Sequence, residues 1–111
     1  MLSAEEQAQL AEAFAHVINY GSDDPSDPID PLTYLAPDGD TCLHIAAFGG
    51  NLRAVQLLVR EGLDVNAKGD MGYTPLHYAL TAEIAQFLLA SGADSSIVNE
   101  FGQFPIGWSG K

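Results

Sequence analysis

Apolar residues in the first twenty positions recur at helical spacing. Leu10, Ala13, Phe14, Val17 and Ile18 fall at i, i+3, i+4, i+7 and i+8, which is one face of a helix. Ser3 and Glu6 stand at capping-box separation, hydroxyl and carboxylate each placed to satisfy an orphan amide. A helix is therefore predicted over residues 3–20, with Gly21 ending it at low conformational cost. The periodicity then stops. Residues 22–31 hold four Asp and three Pro and predict a loop, after which Asp30 can cap a short helix over 31–35 with Pro31 at its first position. Asp38-Gly39-Asp40 is a turn signal. Beyond it Thr41 can cap a helix over 42–48, and Gly49-Gly50-Asn51 breaks that helix. A second helix over 52–61 turns Leu52, Val55, Leu58 and Val59 inward, and Gly62 closes it.

The pattern then repeats. Gly39-Asp40-Thr41-Cys42-Leu43-His44-Ile45-Ala46 is echoed thirty-three residues on by Gly72-Tyr73-Thr74-Pro75-Leu76-His77-Tyr78-Ala79, with Gly, Thr, Leu, His and Ala in register. A fixed period of this size marks a stacked repeat. Such a stack is more often a surface for another molecule than a pocket for chemistry.

These residues closely resemble the ankyrin repeat family. The motif stands here as Thr74-Pro75-Leu76-His77-Tyr78-Ala79, Gly50, Val55-Gln56-Leu57-Leu58 and Gly62-Leu63-Asp64-Val65-Asn66-Ala67, and the resemblance covers about residues 36–108. It implies an all-α, short ankyrin-repeat solenoid of stacked helix-turn-helix units. The expected layout is an N-terminal helical cap and acidic loop over 1–35, a repeat over 36–68, a shortened repeat over 69–98 and a truncated half-repeat cap over 99–111. The departures are informative. Cys42 replaces the proline of the motif, and Gly49-Gly50-Asn51 has no counterpart between Leu80 and Glu83. The first helix of the second repeat should therefore turn tightly into the next, expected over 83–91. Phe101, Phe104, Ile106 and Trp108 are placed to cover the last helix pair.

Charge narrows the partners. Fifteen acidic residues face four basic ones, for a net charge of −11, and Arg53 is the first basic residue. Nucleic acid and anionic membranes need a basic patch and are disfavoured. A basic protein partner is favoured, with association speeded by steering. Acidity also has a simpler reading, the solubility of a small protein. A single cysteine excludes an internal disulfide and fits a reducing compartment. With no signal-peptide pattern and no membrane-spanning stretch, a cytoplasmic location is expected, as a monomer or weak dimer.

Candidate chemistry is thin. His44 and His77 could serve as bases or metal ligands, but the ankyrin motif uses this histidine to hydrogen-bond the neighbouring turn. Equivalent layers of packed helices lie roughly 10 Å apart, too far for one metal with ligand bonds of about 2 Å. Cys42 begins a helix among acids that raise a thiol pKa. The Asp23–Asp30 loop lacks the order of an EF-hand. No phosphate loop, nucleophile elbow or zincin motif occurs. The expectation is a non-enzymatic protein needing no cofactor or metal.

The resemblance places partner binding on turn tips and the outer face of the first helices. Carried onto this chain, that strip holds Pro37, Asp38, Asp40 and Phe48, then Asp70, Met71, Tyr73, Leu80 and Thr81, then Glu100, Phe101 and Gln103. Exposed aromatics and Met are enriched at interface centres, and rim acids steer a basic partner. Two readings follow. One is a stoichiometric binder that occludes a basic partner; small acidic ankyrin proteins of bacteria include toxin-neutralising immunity proteins, and this chain resembles them. The other is a regulatory or scaffolding adaptor that recognises a protein segment.

Overall fold

Ser3 begins the first helix as its spacing from Glu6 requires. In the computed structural model, which describes residues 2–20, 22–24 and 26–105, the Glu6 amide donates to the Ser3 hydroxyl at 3.1 Å. The Ser3 amide donates to the Glu6 carboxylate at 3.0 Å. This helix, α1, spans Ala4–Ala13 and stops well short of residue 20. Phe14 leaves helical geometry at φ −112° and ψ 17°. The Val17 amide then donates to the Phe14 carbonyl at 3.0 Å, a tighter turn that folds Val17 back on the core and leaves Ile18 facing solvent. The apolar stripe meets its neighbour at Leu10 and Phe14, so nothing holds a helix beyond them. Gly21, expected to end it, lies outside the described residues.

Residues 31–35 form one capped turn instead of the expected helix. The Asp30 carboxylate accepts from the Leu32 amide at 3.0 Å, and its carbonyl accepts from the Thr33 and Tyr34 amides at 3.1 and 2.9 Å. Leu35 then departs to bridge Thr41, and that pairing competes with a further helical turn. The chain reverses through Gly39, whose φ of 99° suits glycine.

Two helix pairs follow. Helix α2 (Cys42–Gly49) starts at Thr41, whose hydroxyl accepts from the Leu43 amide, and ends at Gly50 in the left-handed conformation. Asn51 caps α3 (Leu52–Arg60) by accepting from the Ala54 amide at 3.0 Å. A 3-10 turn over Asp70–Gly72 leads to α4 (Pro75–Tyr78), and Thr81 caps α5 (Ala82–Ala90). The missing residues shorten α4 to a single turn. Ala79 leaves helical geometry, and the Leu80 amide donates to the Ala47 carbonyl at 3.1 Å, so α2 supplies an acceptor that a longer helix would have supplied itself.

Packing follows chain order: α2 on α3 and α4, α1 on α3, and α5 on α3 and α4. Leu10 and Phe14 join Leu43, Val55, Leu57, Leu58, Leu76, Ile84 and Leu88 in one core. Leu52 and Val59 are only half-buried, and Ala54 and Leu57 take the inner positions beside Val55 and Leu58. Two cations of α3 fasten α1: Arg60 Nη2 lies 2.6 Å and Arg53 Nη2 3.5 Å from the two Glu6 oxygens.

Turns are tied to turns by a buried His44 and a half-buried Asp40. His44 Nε2 lies 3.0 Å from the carbonyls of both Ala67 and Tyr73, and Asp40 Oδ1 accepts from the Asp70 amide at 2.8 Å. Gly69 sits between these groups. A Cβ there would stand 2.0 Å from Asp40 Oδ1 and 3.0 Å from His44 Nε2. Gly69→Ala is therefore expected to break at least one of these bonds and to lower stability by about 1–3 kcal/mol in urea melts.

Glu6 gives a pH signature. Hydrogen bonds from Arg60 and the Ser3 amide hold its carboxyl down at about 2, against an ordinary 4.5. A depressed carboxylate stabilises the fold fully above its unfolded pKa and loses that contribution as pH falls through the folded one. The stability gap between wild type and Glu6→Gln is expected to be constant from neutrality to about pH 5 and to shrink between pH 4.5 and 2; melts across that range measure it.

Candidate functional site

The outward positions of α2 and α4 build an aromatic face. The Tyr78 ring meets Phe48 edge-on at 5.8 Å and His44 edge-on at 5.7 Å, and stacks on Tyr73 at 5.2 Å with 20° between planes. Tyr73 also leans on His77 at 5.3 Å. Asp40, His44, Ile45, Phe48 and Tyr78 line a cleft of about 250 Å³ on this face. Three turn-tip carboxylates act on the Tyr78 hydroxyl through their charge. Burial first, then the charges of Asp40, Asp70 and Asp38 and a hydrogen bond to Asp40, push its pKa up to about 12. The hydroxyl stays protonated at any physiological pH.

The structure sorts the expected strip residues. Phe48 and Tyr73 meet Tyr78, Asp40 shares its cleft, and Asp38 and Asp70 add their charge to it. Phe48 and Leu80 are 67% and 62% exposed, and the Leu80 side chain lies over Gly50. Tyr73 does not project as expected; stacking on Tyr78 half-buries it. Thr81 spends its hydroxyl on the Ile84 amide as the α5 cap. Gln103 is structural as well: its carbonyl meets His77 Nε2 at 2.9 Å and its amide donates to Asn99. Pro37, Glu100 and Phe101 are exposed at turns, and the Glu100 amide donates to the Met71 carbonyl at 2.9 Å. Phe104 is exposed; Ile106 and Trp108 lie outside the described residues.

Tyr78 and Ile45 were missed. Both occupy the variable position of Leu-His-x-Ala, thirty-three residues apart. The signal was present: a position the motif leaves free, one residue past the inward histidine, must face outward.

Met71 differs from its neighbours. It is 50% exposed and holds φ 55° and ψ 24°, left-handed backbone that costs a non-glycine residue about 1–2 kcal/mol. Such strain in an exposed side chain points to a use outside the fold.

The remaining candidates are engaged in packing or local bonds. Cys42 is fully buried, and burial, with Asp30 nearby, pushes its thiol up to about 12. That leaves no thiolate to react at neutral pH. In the acidic loop Asp24 binds the amide and hydroxyl of Ser26, which lower its pKa, and the Ser22 hydroxyl donates to Asp27. Among the described residues no group of three His, Cys, Asp or Glu could hold a metal ion, and no helix is long and apolar enough to cross a membrane.

The family model described as "Ankyrin repeats (3 copies)" matches residues 1–99. The chain belongs to the ankyrin repeat family. The match begins at residue 1 and so includes α1 and the acidic loop, which the motif resemblance over 36–108 left out. Protein phosphatase 1 regulatory subunit 27 of Homo sapiens is 39% identical over 77 residues, covering 67% of this chain and 50% of the relative. Ankyrin repeat domain-containing protein 40 of Homo sapiens is 40% identical over 68 residues, 58% of this chain and 18% of that protein. NF-kappa-B inhibitor cactus of Drosophila melanogaster is 43% identical over 56 residues, 47% of this chain and 11% of that protein. The match spans half the length of the first of these relatives. Ankyrin repeats mediate protein–protein interaction, and the aromatic face lies on the turn tips and first helices of the repeats.

The strain at Met71 can be tested directly. Met71→Gly is expected to leave stability unchanged or raise it by up to about 1 kcal/mol, since glycine tolerates the left-handed backbone but has more unfolded freedom. Thermal and urea melts measure this; a loss would mean that the side chain packs against the repeat.

Proposed function

We propose that this chain is a non-enzymatic binding module that takes a basic protein partner on its aromatic face and occludes it, in the manner of an inhibitor or immunity protein. The observation that carries this reading is the aromatic cluster of Phe48, Tyr78 and Tyr73 set among Asp38, Asp40 and Asp70. Exposed aromatics supply binding area at modest entropic cost. Acids around them favour a basic partner and repel acidic competitors. The net charge of −11 extends that field over the molecule. Residues 36–68 and 69–98 are the repeats that carry the face, flanked by 1–35 and 99–111, and Met71, Leu80, Glu100 and Phe101 extend its edge.

A regulatory or scaffolding adaptor is the second reading, with acidity serving solubility only. The names of the relatives favour it in part, one being a regulatory subunit and another an inhibitor. The pairing of Glu6 with Arg53 and Arg60 also shows that some acids serve the fold.

Salt separates the two. Raising ionic strength from 0.1 M to 1 M shortens the Debye length from about 10 to about 3 Å. Capture of a partner from the native host, followed by association rates of the purified pair, is expected to slow at least about tenfold over that range. A rate and affinity untouched by salt would leave the adaptor reading. Phe48→Ala with Leu80→Ala is expected to abolish capture without altering the melt; unchanged capture would place binding on another face.

A further inference from the structure

The cleft lined by Phe48, Tyr78 and Asp40 has a chemistry more specific than a basic surface requires. Its walls are two aromatic rings set at 74° to one another, and its rim carries the Asp40 carboxylate. The Asp40 carboxylate accepts from the Asp70 amide, and the Asp40 amide donates to Asp38. A carboxylate offers about four acceptor sites, so these bonds position the groups and leave acceptors for a ligand. Resting on the reading of this face as the partner site, we infer that the cleft takes a single arginine side chain of the partner, its guanidinium stacked on the exposed Phe48 ring and paired with Asp40.

The chemistry of the walls and rim selects arginine. An apolar side chain would fill the cleft but strip water from the carboxylates without pairing them, which is unfavourable. A lysine ammonium would pair with an acid, yet it is a compact, strongly hydrated charge with no plane to lay against a ring. A guanidinium is planar and weakly hydrated. It stacks on aromatic faces while its edge donates two hydrogen bonds to a carboxylate. Phe48 offers the accessible ring, being largely exposed, whereas Tyr78 is held by stacking on Tyr73 and by the edge contact with His44.

Two octapeptides of equal charge provide the test: one of lysine only, the other with one central lysine replaced by arginine. Their affinities for the full chain are measured calorimetrically at low salt. Both are expected to bind, the arginine peptide about tenfold more tightly, since it alone gains the stacked, bidentate contact. That ratio is expected to fall to about one in Phe48→Ala, at an exposed position, and in Asp40→Asn, which keeps an oxygen to accept from the Asp70 amide. Equal affinities in the wild type would overturn the arginine slot while leaving the basic-partner reading in place. A preference that survives in both variants would also overturn it, because arginine would then be read elsewhere. If neither peptide binds, the basic-partner reading fails and the slot fails with it.

Discussion

A buried imidazole holds the turns of this protein in place. His44 is 0% exposed, and a polar ring in such a position is tolerated only when its nitrogens are bonded. They are. Nδ1 lies 3.0 Å from the Thr41 amide, and Nε2 lies 3.0 Å from the carbonyls of Ala67 and Tyr73. Carbonyls only accept, so Nε2 carries the proton and Nδ1 accepts from Thr41. One side chain thereby caps its own helix and fixes a turn that follows more than twenty residues later. His77 repeats the arrangement one period on, with Thr74 at Nδ1 and Gln103 at Nε2.

The binding face is a consequence of that tie. Holding the Tyr73 carbonyl at the start of α4 puts its ring over Tyr78, and Tyr78 in turn reaches back to Phe48 on α2. Asp40 pulls the same turn from the other side through the Asp70 amide. The closeness of the two turns requires Gly69, because any Cβ would meet the Asp40 carboxylate. Site geometry and repeat packing therefore share the contacts of Asp40, Gly69 and Tyr73, whereas Phe48 and Leu80 stand exposed at the edge of that set.

Much of this was legible in the residues. The thirty-three-residue echo, the Thr caps and the glycine breaks all specify local backbone conformation, and local rules read them well. The histidines were legible too, because their hydrogen bonds are part of the motif. What failed was decided by tertiary contact. The stripe from Leu10 to Ile18 is continuous in sequence, but only Leu10 and Phe14 are buried in the core, and the helix ends at Ala13 with Phe14 as its cap. Pro31 could open a helix, yet the Leu35–Thr41 bridge claims the chain first. At the site, Asp38, Asp40, Asp70 and Phe48 could be chosen as outward residues. Tyr73 was expected to project because no periodicity reports a stacking partner, and Tyr78 was overlooked as one more residue inside a structural motif. The left-handed backbone of Met71 has no sequence signature, since the position gives no glycine or asparagine to announce it.

The tautomer of His44 is the most direct measure of whether the imidazole tie governs the fold. Long-range proton–nitrogen NMR at neutral pH should show a single species protonated at Nε2, with that proton exchanging slowly because it is buried against the Ala67 and Tyr73 carbonyls. A ring protonated at Nδ1, or one averaging rapidly between tautomers with an exchangeable proton, would mean that the turn is not held by His44.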